Sequence, residues 1–506
     1  MFVRRKPNAS GSYSVQVVMK DRGRYVVVRS FGSSSDEPVL SRLETEARLF
    51  IDTYGGQQVL DFDTSSMQRE MQFHVSSITS IVQNGQHLIL DRVYDNVGFG
   101  SLGDNLLRDI VVSRVCCPRS KLATVDYLRR HCGSNVGVHT IYRLMDSIDE
   151  TFRQRVQQVS VEHTCRVLGG KIGIVFYDVT TLYFETSHED ALRSPGFSKD
   201  GKTAESQVVL GLLVSSDGYP LAYSIFNGSQ YEGRTMIPVI DDFVSRFGLT
   251  DFVVVADAGL LSRKNIALLK HAGYKFILAG RIKKESEPVR EWVLSLPKDP
   301  THFHETVING DERIIVSYSP ARAKKDASNR EKGIKRLRDS YASGKVRKKN
   351  INQRGYNKFL IVENDVHVKI DEQKIIDDAR WDGLKSYVTN TSLPAGEVIE
   401  RYRELWGVER AFRVVKGKLE ARPIFHFNEQ RIEAHICICF MAYKIYKELE
   451  RLLKTVGIKL SVDKVLEIAK TISTVTFSLS NGKTASQIIL TTPEQQMLAP
   501  ILPLHN

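Results

Sequence analysis

The stretch Lys171-Ile172-Gly173-Ile174-Val175-Phe176-Tyr177-Asp178-Val179 decides the fold. It is a short apolar run rich in β-branched residues, which reads as a buried strand with an acid set at its end. SQVVLGLLVSSDG and YPLAYSIFNG follow, separated by a turn at Asp217-Gly218, and read as an antiparallel meander. RTMIPVIDDFVSRFG has the apolar spacing of an amphipathic helix. DFVVVADAG is a fourth strand and also ends in an acid, Asp257. SRKNIALLKHAG is a helix stopped by Gly273, and YKFILAGRI is a fifth strand.

The order β-β-β-α-β-α-β is that of the ribonuclease-H-like fold, an α/β mixed sheet with helices on its faces. First and fourth strands are neighbours in such a sheet, so Asp178 and Asp257 are expected to share one place. This core fills residues 166–282 and resumes at 385–427. The second part opens with the strand-like GLKSYVTNTS and continues as one long helix, PAGEVIERYRELWGVERAFRVVKGKLEA. Residues 283–384 break the rhythm. THFHETVI, ERIIVSYS and NKFLIVE are strand-like, and the segment reads as a β-rich basic insertion. Residues 1–75 carry a basic β-hairpin, SYSVQVVM and GRYVVVRSF around KDRG. Residues 76–165 are helical, with a helix-turn-helix pattern bearing Arg129, Arg130, His139 and Arg143, a candidate DNA-binding region. Residues 428–506 read as a helical C-terminus. Gly98 to Gly103 matches GxGxxG, but helices follow it rather than a βαβ unit, so it is a loop before a helix.

Charge is concentrated. The net charge is +12. Residues 321–358 hold 14 Lys+Arg and 3 Asp+Glu, a net of +11, and residues 1–30 hold 7 Lys+Arg and 1 Asp. The first of these stretches is either a solvated loop or a phosphate-binding surface. The cations Lys324, Lys325, Arg336, Arg338, Lys348 and Lys349 are its candidate DNA contacts. Six cysteines include no CxxC pair and read as reduced thiols. No apolar signal region and no run of about 18 apolar residues occurs, so neither secretion nor a membrane partner is expected.

A third acid, Glu409, lies on the long helix. Three clustered carboxylates repel one another unless cations neutralise them, and such hard oxygen ligands suit Mg²⁺ or Mn²⁺. Two ions about 3.5–4 Å apart are the arrangement that splits phosphodiesters. On a continuous helix Tyr402, Glu409 and Lys416, spaced by seven, share one stripe.

The segment from Tyr402 to Lys416, YRELWGVERAFRVVK, resembles the Y-x2-R-x3-E-x6-K signature of a branch of bacterial insertion-sequence DDE transposases. IVFYDVTTLYFET is similar to that branch's first-Asp motif and VVVADAGLLS to its second. The resemblance covers about residues 100–450. It implies that Asp178, Asp257 and Glu409 are the catalytic, metal-binding triad. It also implies that Tyr402 and Lys416 grip the DNA end, and that the insertion is β-rich and binds DNA. Leu405 stands where the signature has Arg. Arg403 is the nearest substitute, about 200° away around an ideal helix.

The implied reaction has two stages. Water attacks a phosphodiester at an element's end and frees a 3′-hydroxyl, which then attacks target DNA. Two ions per site, a homodimer on DNA and a cytoplasmic, nucleoid-associated location in a bacterium go with that reading. The rivals are a metal-dependent nuclease without strand transfer and an inactive DNA-binding regulator.

Overall fold

Alternation in β5 (Ile174–Tyr183) sends successive side chains to opposite faces of the central sheet. Val175, Tyr177 and Val179 join one core cluster, together with Met236, Ile240 and Phe243 of the helix Met236–Phe247. The opposite face of β5 carries Asp178 and Leu182. There Leu182, with two leucines of β6 (Gln207–Ser215), meets Val415, Ile436, Phe440 and Tyr443. The computed structural model describes residues 1–54, 71–72, 74–197, 201, 204–249, 252–260, 262–343, 355–363, 367–479 and 482–503. It divides the chain into two compact units.

The larger unit comprises residues 90–128 and 135–462. Its sheet is mixed. β5, β6 and β7 (Pro220–Asn227) are antiparallel neighbours, and β8 (Val253–Ala256) and β9 (Lys275–Ala279) run parallel to β5. The first and fourth strands of the order read from sequence are therefore adjacent, as expected. Beyond β9 the sheet continues antiparallel through β14 (Leu384–Thr389), β11 (Glu312–Tyr318) and β10 (His304–Ile308), giving eight strands.

Three expectations change here. Asp178 does not end its strand: β5 runs on to Tyr183, and only the parallel pairing with β8 stops at Tyr177. The insertion is not mainly β. Its strands β10 and β11 extend the central sheet, and its basic stretch begins as a helix, Pro320–Ala342. Ser319 caps that helix, and Ile334 and Leu337 pack on Phe359 and on Leu360 of β12 (Leu360–Glu363), which pairs with β13 (His367–Ile370). Good helix formers such as Ala, Lys and Arg fill its exposed face, and those apolar residues anchor it. Thirdly, the long helix after β14 is broken into Ala395–Arg403, Trp406–Arg413 and a π turn, Val414–Lys418. The breaks follow from tight i→i+3 bonds at Leu405, Gly407 and Val408, then from the widened turn.

Helices 105–116, 121–132, 138–147 and 150–167 occupy the region read as helical. The GxGxxG stretch is a 3₁₀ turn between Gly98 and Gly103, both left-handed, and not a phosphate loop. The helix Glu429–Thr455 runs through the interior. On it, Lys444 is fully buried and donates to the Ser160 carbonyl and Thr164 Oγ1. One turn on, buried Glu448 accepts from the Tyr219 hydroxyl at 2.6 Å and from Arg451, and meets His163 at 3.5 Å. This network ties three segments together.

The smaller unit comprises residues 1–89, 129–134 and 463–506. The N-terminal hairpin gains a strand: β1 (Phe2–Pro7), β2 (Tyr13–Asp21) and β3 (Arg24–Ser34) form a meander. Arg22 and Gly23, both at positive φ, make the tight turn. Leu40 and Ala47 of the helix Glu37–Thr53 cover Val15 and Val17, and Arg5 pairs with Glu37 and Glu44 of the same helix. The C-terminus is not all helical. β15 (Ser473–Ser478) pairs with β16 (Thr484–Ile489) and with β4 (Ile78–Val82).

Burial acts to raise the Glu448 pKa, but hydrogen bonds from His163, Arg451 and Tyr219 outweigh it and hold the carboxyl at about 2. A depressed carboxyl stabilises the fold above its unfolded pKa near 4.5, and that contribution fades as pH falls towards 2. At neutral pH it is on the order of 3 kcal/mol. Glu448→Gln is expected to lose this share at pH 7 and to narrow the stability gap between pH 5 and pH 3 in denaturant titrations. An unchanged gap would remove Glu448 from the acid response.

Candidate active site

Parallel register brings the two aspartates together. Tyr177 of β5 lies opposite Ala256, the last residue of β8, so Asp178 and Asp257 each directly follow a paired residue, and adjacent strands are spaced about 4.8 Å apart. Tyr177 faces the other way. Its hydroxyl donates to Thr235, and a Cβ at Gly211 on β6 would stand 2.5 Å from that oxygen, so glycine is required there. Each aspartate is braced by local backbone. Asp178 accepts from the Val179 N–H, and Asp257 from the Gly259 N–H at 2.5 Å.

The broken helix delivers the third acid. Ala395–Arg403 packs on β14, β9 and β8, and Trp406–Arg413 packs on β5. The pair thus crosses the sheet in strand order. Tyr402 is buried, and burial raises its hydroxyl pKa, with Asp257, Tyr387, Glu409 and Asp178 raising it further. All three acids therefore act on one phenol oxygen. Asp257, Tyr402, Leu405 and Glu409 line a cavity of about 810 Å³. Glu409 is exposed, and the structure gives it no hydrogen-bond or ion-pair partner among the described residues.

Cations surround the acids. Lys385 of β14 holds its ammonium 4.2 Å from the Tyr402 ring centroid and 5.1 Å from that of Tyr387. Burial lowers its pKa, Arg322 and Arg403 lower it further, and Glu409 opposes them. Cation–π contact in such a desolvated place is worth about 2 kcal/mol. Arg330, Lys283 and Lys358 also line the cavity but are paired with Asp382 or Asp378. Arg281, Lys284 and Arg322 line it as well.

Sequence reasoning named the three acids and Tyr402, which the fold brings together, but not Lys385, Arg281 or Arg322. Period-two alternation places Lys385 and Tyr387 on one face, yet nothing in the sequence says which. Arg403 contributes charge at Lys385 and Tyr387, so the 200° offset that holds on a continuous helix does not isolate it across the break. Lys416 is half-buried on the π turn and, like Lys324, Lys325, Arg336 and Arg338, is not among the described residues lining the cavity. Those four are exposed on the outer side of Pro320–Ala342, and Arg338 pairs with Glu372. Lys348 and Lys349 lie outside the described residues.

The family model described as "Transposase DDE domain" matches residues 169–445, which include both aspartates, the insertion and Glu409. The chain belongs to the DDE transposases. It is a DNA transposase, an enzyme of DNA recombination. No curated protein matches the transposase. Among solved structures it is similar to a piggyBac transposase synaptic complex with hairpin DNA, at 10% identity and TM-score 0.39, covering 75% of this chain and 70% of that one. The Mos1 transposase paired-end complex with left transposon end matches at 10% identity and TM-score 0.16, covering 46% and 71%. Among the described residues no helix is long and apolar enough to cross a membrane.

Asp257 and Glu409 on the cavity wall, with Asp178 one strand away, are a donor set that fits hard divalent cations. Mn²⁺ is therefore expected to raise the thermal unfolding midpoint relative to EDTA. Stability should grow by about 1.4 kcal/mol for each tenfold excess of ion over its Kd. Asp257→Asn should abolish that increment, and an equal increment in the variant would place the ion elsewhere.

Proposed function

We propose that Asp178, Asp257 and Glu409 are the catalytic triad of this transposase and hold two Mg²⁺ or Mn²⁺ ions. The carrying observation is the Tyr177–Ala256 register together with the charge of all three acids at the Tyr402 hydroxyl. The strand order and directions of β7-β6-β5-β8-β9 support a ribonuclease-H-like core. The signature from Tyr402 to Lys416 supports the bacterial insertion-sequence branch.

Divalent ions bound here would polarise a phosphoryl oxygen and activate the attacking oxygen. The protein's own part is positioning. The carboxylates fix where those charges sit. Lys385, held against two aromatic rings, sets a positive charge at the cavity wall where a phosphate can approach. Tyr402 is buried and keeps its proton, so it serves as a hydrogen-bond donor. Arg403 takes the place of the signature Arg, which Leu405 cannot fill. Trp406 is 60% exposed while Trp292 and Trp381 pack on the core, so Trp406 is the tryptophan available to stack on a base at the cut. Lys416, Lys324, Lys325, Arg336, Arg338, Lys348 and Lys349 bind DNA phosphates flanking the site. Cleavage at an element's ends and strand transfer into target DNA require both ends at once, hence a homodimer on DNA.

Asp178→Asn, Asp257→Asn and Glu409→Gln are each expected to abolish strand cleavage while leaving end binding intact. Retained cleavage by purified Glu409→Gln would take that residue out of the triad. A joining assay with pre-cut ends and Mn²⁺ separates the rivals: a plain nuclease cuts without joining, and a regulator only binds. Replacing Lys324 and Lys325 together with Ala should weaken binding to all duplexes alike. It should also lower the slope of log affinity against log salt by up to about 2. An unchanged slope would mean that neither lysine meets a phosphate.

A further inference from the structure

A cluster of basic side chains lies outside the lining of the carboxylate cavity. Arg114, in the last turn of the helix Asn105–Cys116, is 6% exposed, and Lys121, first residue of the helix Lys121–Cys132, is 4% exposed. His435 is buried on Glu429–Thr455, and His426 stacks on it at 5.5 Å between ring centroids. Tyr142 closes on His426 at 6.2 Å. The helices Asn105–Cys116, Val138–Ser147 and Glu429–Thr455 pack on one another, and Lys121 and Arg114 act on both histidines, so these groups share one neighbourhood.

The cluster has no counter-charge. Among the described residues, the structure gives the Arg114 and Lys121 side chains no hydrogen bond and no ion pair. The Nδ1 atom of His435 is buried without a partner, while its Nε2 approaches the Ala421 carbonyl at 3.2 Å. Arg431, which also acts on His426, is already bound to Asp146. Buried charges are ordinarily paired, because leaving one unpaired costs several kcal/mol. The position is doubly unfavourable for Lys121, since a helix N-terminus repels cations and attracts anions. Burial, then Arg114, push Lys121 down to about 7, and burial with Lys121 and Arg114 pushes His426 to about 3.

We propose that Arg114, Lys121, His426 and His435 form a binding site for a phosphate group, separate from the catalytic carboxylates. An anion there supplies the missing counter-charge and accepts from the guanidinium and ammonium, beside the amino end of the Lys121 helix, where Ser120 Oγ already accepts from the Ala123 N–H. Two sources carry this chemistry, a phosphodiester of the DNA backbone and free inorganic phosphate.

The full chain and its Lys121→Met variant test this, with thermal midpoints taken in chloride and in inorganic phosphate at equal ionic strength. The native midpoint is expected to rise in phosphate. The variant should match or exceed the native midpoint in chloride, because an unpaired buried charge is gone, and should lose the phosphate-specific rise. Affinity for a short random-sequence duplex is then measured across a salt series. A fall in affinity, with a slope smaller by about 1, identifies a backbone phosphate as the ligand. A phosphate rise lost in the variant with duplex binding unchanged identifies the free ion. Equal phosphate rises in both proteins, together with equal duplex binding, overturn the proposal. Should Lys121→Met not fold, His426→Phe keeps the stack on Tyr142 and is expected to show the same losses.

Discussion

Parallel pairing between β5 and β8 is the constraint on which the site depends. Two strands that run side by side in the same direction put residues of equal register next to each other, and here the paired Tyr177 and Ala256 are each followed by an aspartate, Asp178 and Asp257. Their mutual repulsion is a cost the sheet imposes. The apolar faces of Val175, Val254 and their neighbours in the core make that pairing too favourable to avoid. Glu409 and Tyr402 are then brought in by helices that pack on the same strands. Local electrostatics thus follow from global packing.

The central sheet was legible because its signals are local and periodic. IVFYD and VVVAD are apolar runs each interrupted by one acid, and the helix between them, RTMIPVIDDFVSRFG, has unambiguous spacing. The aspartates could be placed from strand order alone. The helix bearing Glu409 could not be placed as well. Its sequence has no Pro or Gly pair to mark a break at Leu405, so continuity was the natural reading, and the tight turn and π turn arise from packing instead. The basic stretch read as a solvated loop or a phosphate-binding surface because charge dominates it. Only its contact with Phe359 and Leu360, residues well downstream, makes it a helix.

Lys385 illustrates a different blind spot. A lysine in a strand reads as an edge or solvent-facing residue. Here its ammonium lies against both Tyr387 and Tyr402, whose ring centroids are themselves 5.0 Å apart with the planes inclined by 64°. One ring comes from the same strand and the other from the helix that follows. The lysine stem is shielded while its charged end stays within reach of Glu409. That arrangement is set by a helix–sheet crossing, which a linear sequence does not display.

β14 is bonded to β9 with Leu278 opposite Val388, and the whole insertion lies between those two positions in the chain. During synthesis the growing polypeptide completes β5 to β9 well before β14 emerges. Until then β9 is an open sheet border, and the segment carrying Glu409 has not been made. A ribosome-bound fragment ending in the insertion therefore holds two carboxylates without the third. Only after β14 and the helices behind it are made can all three carboxylates come to one place.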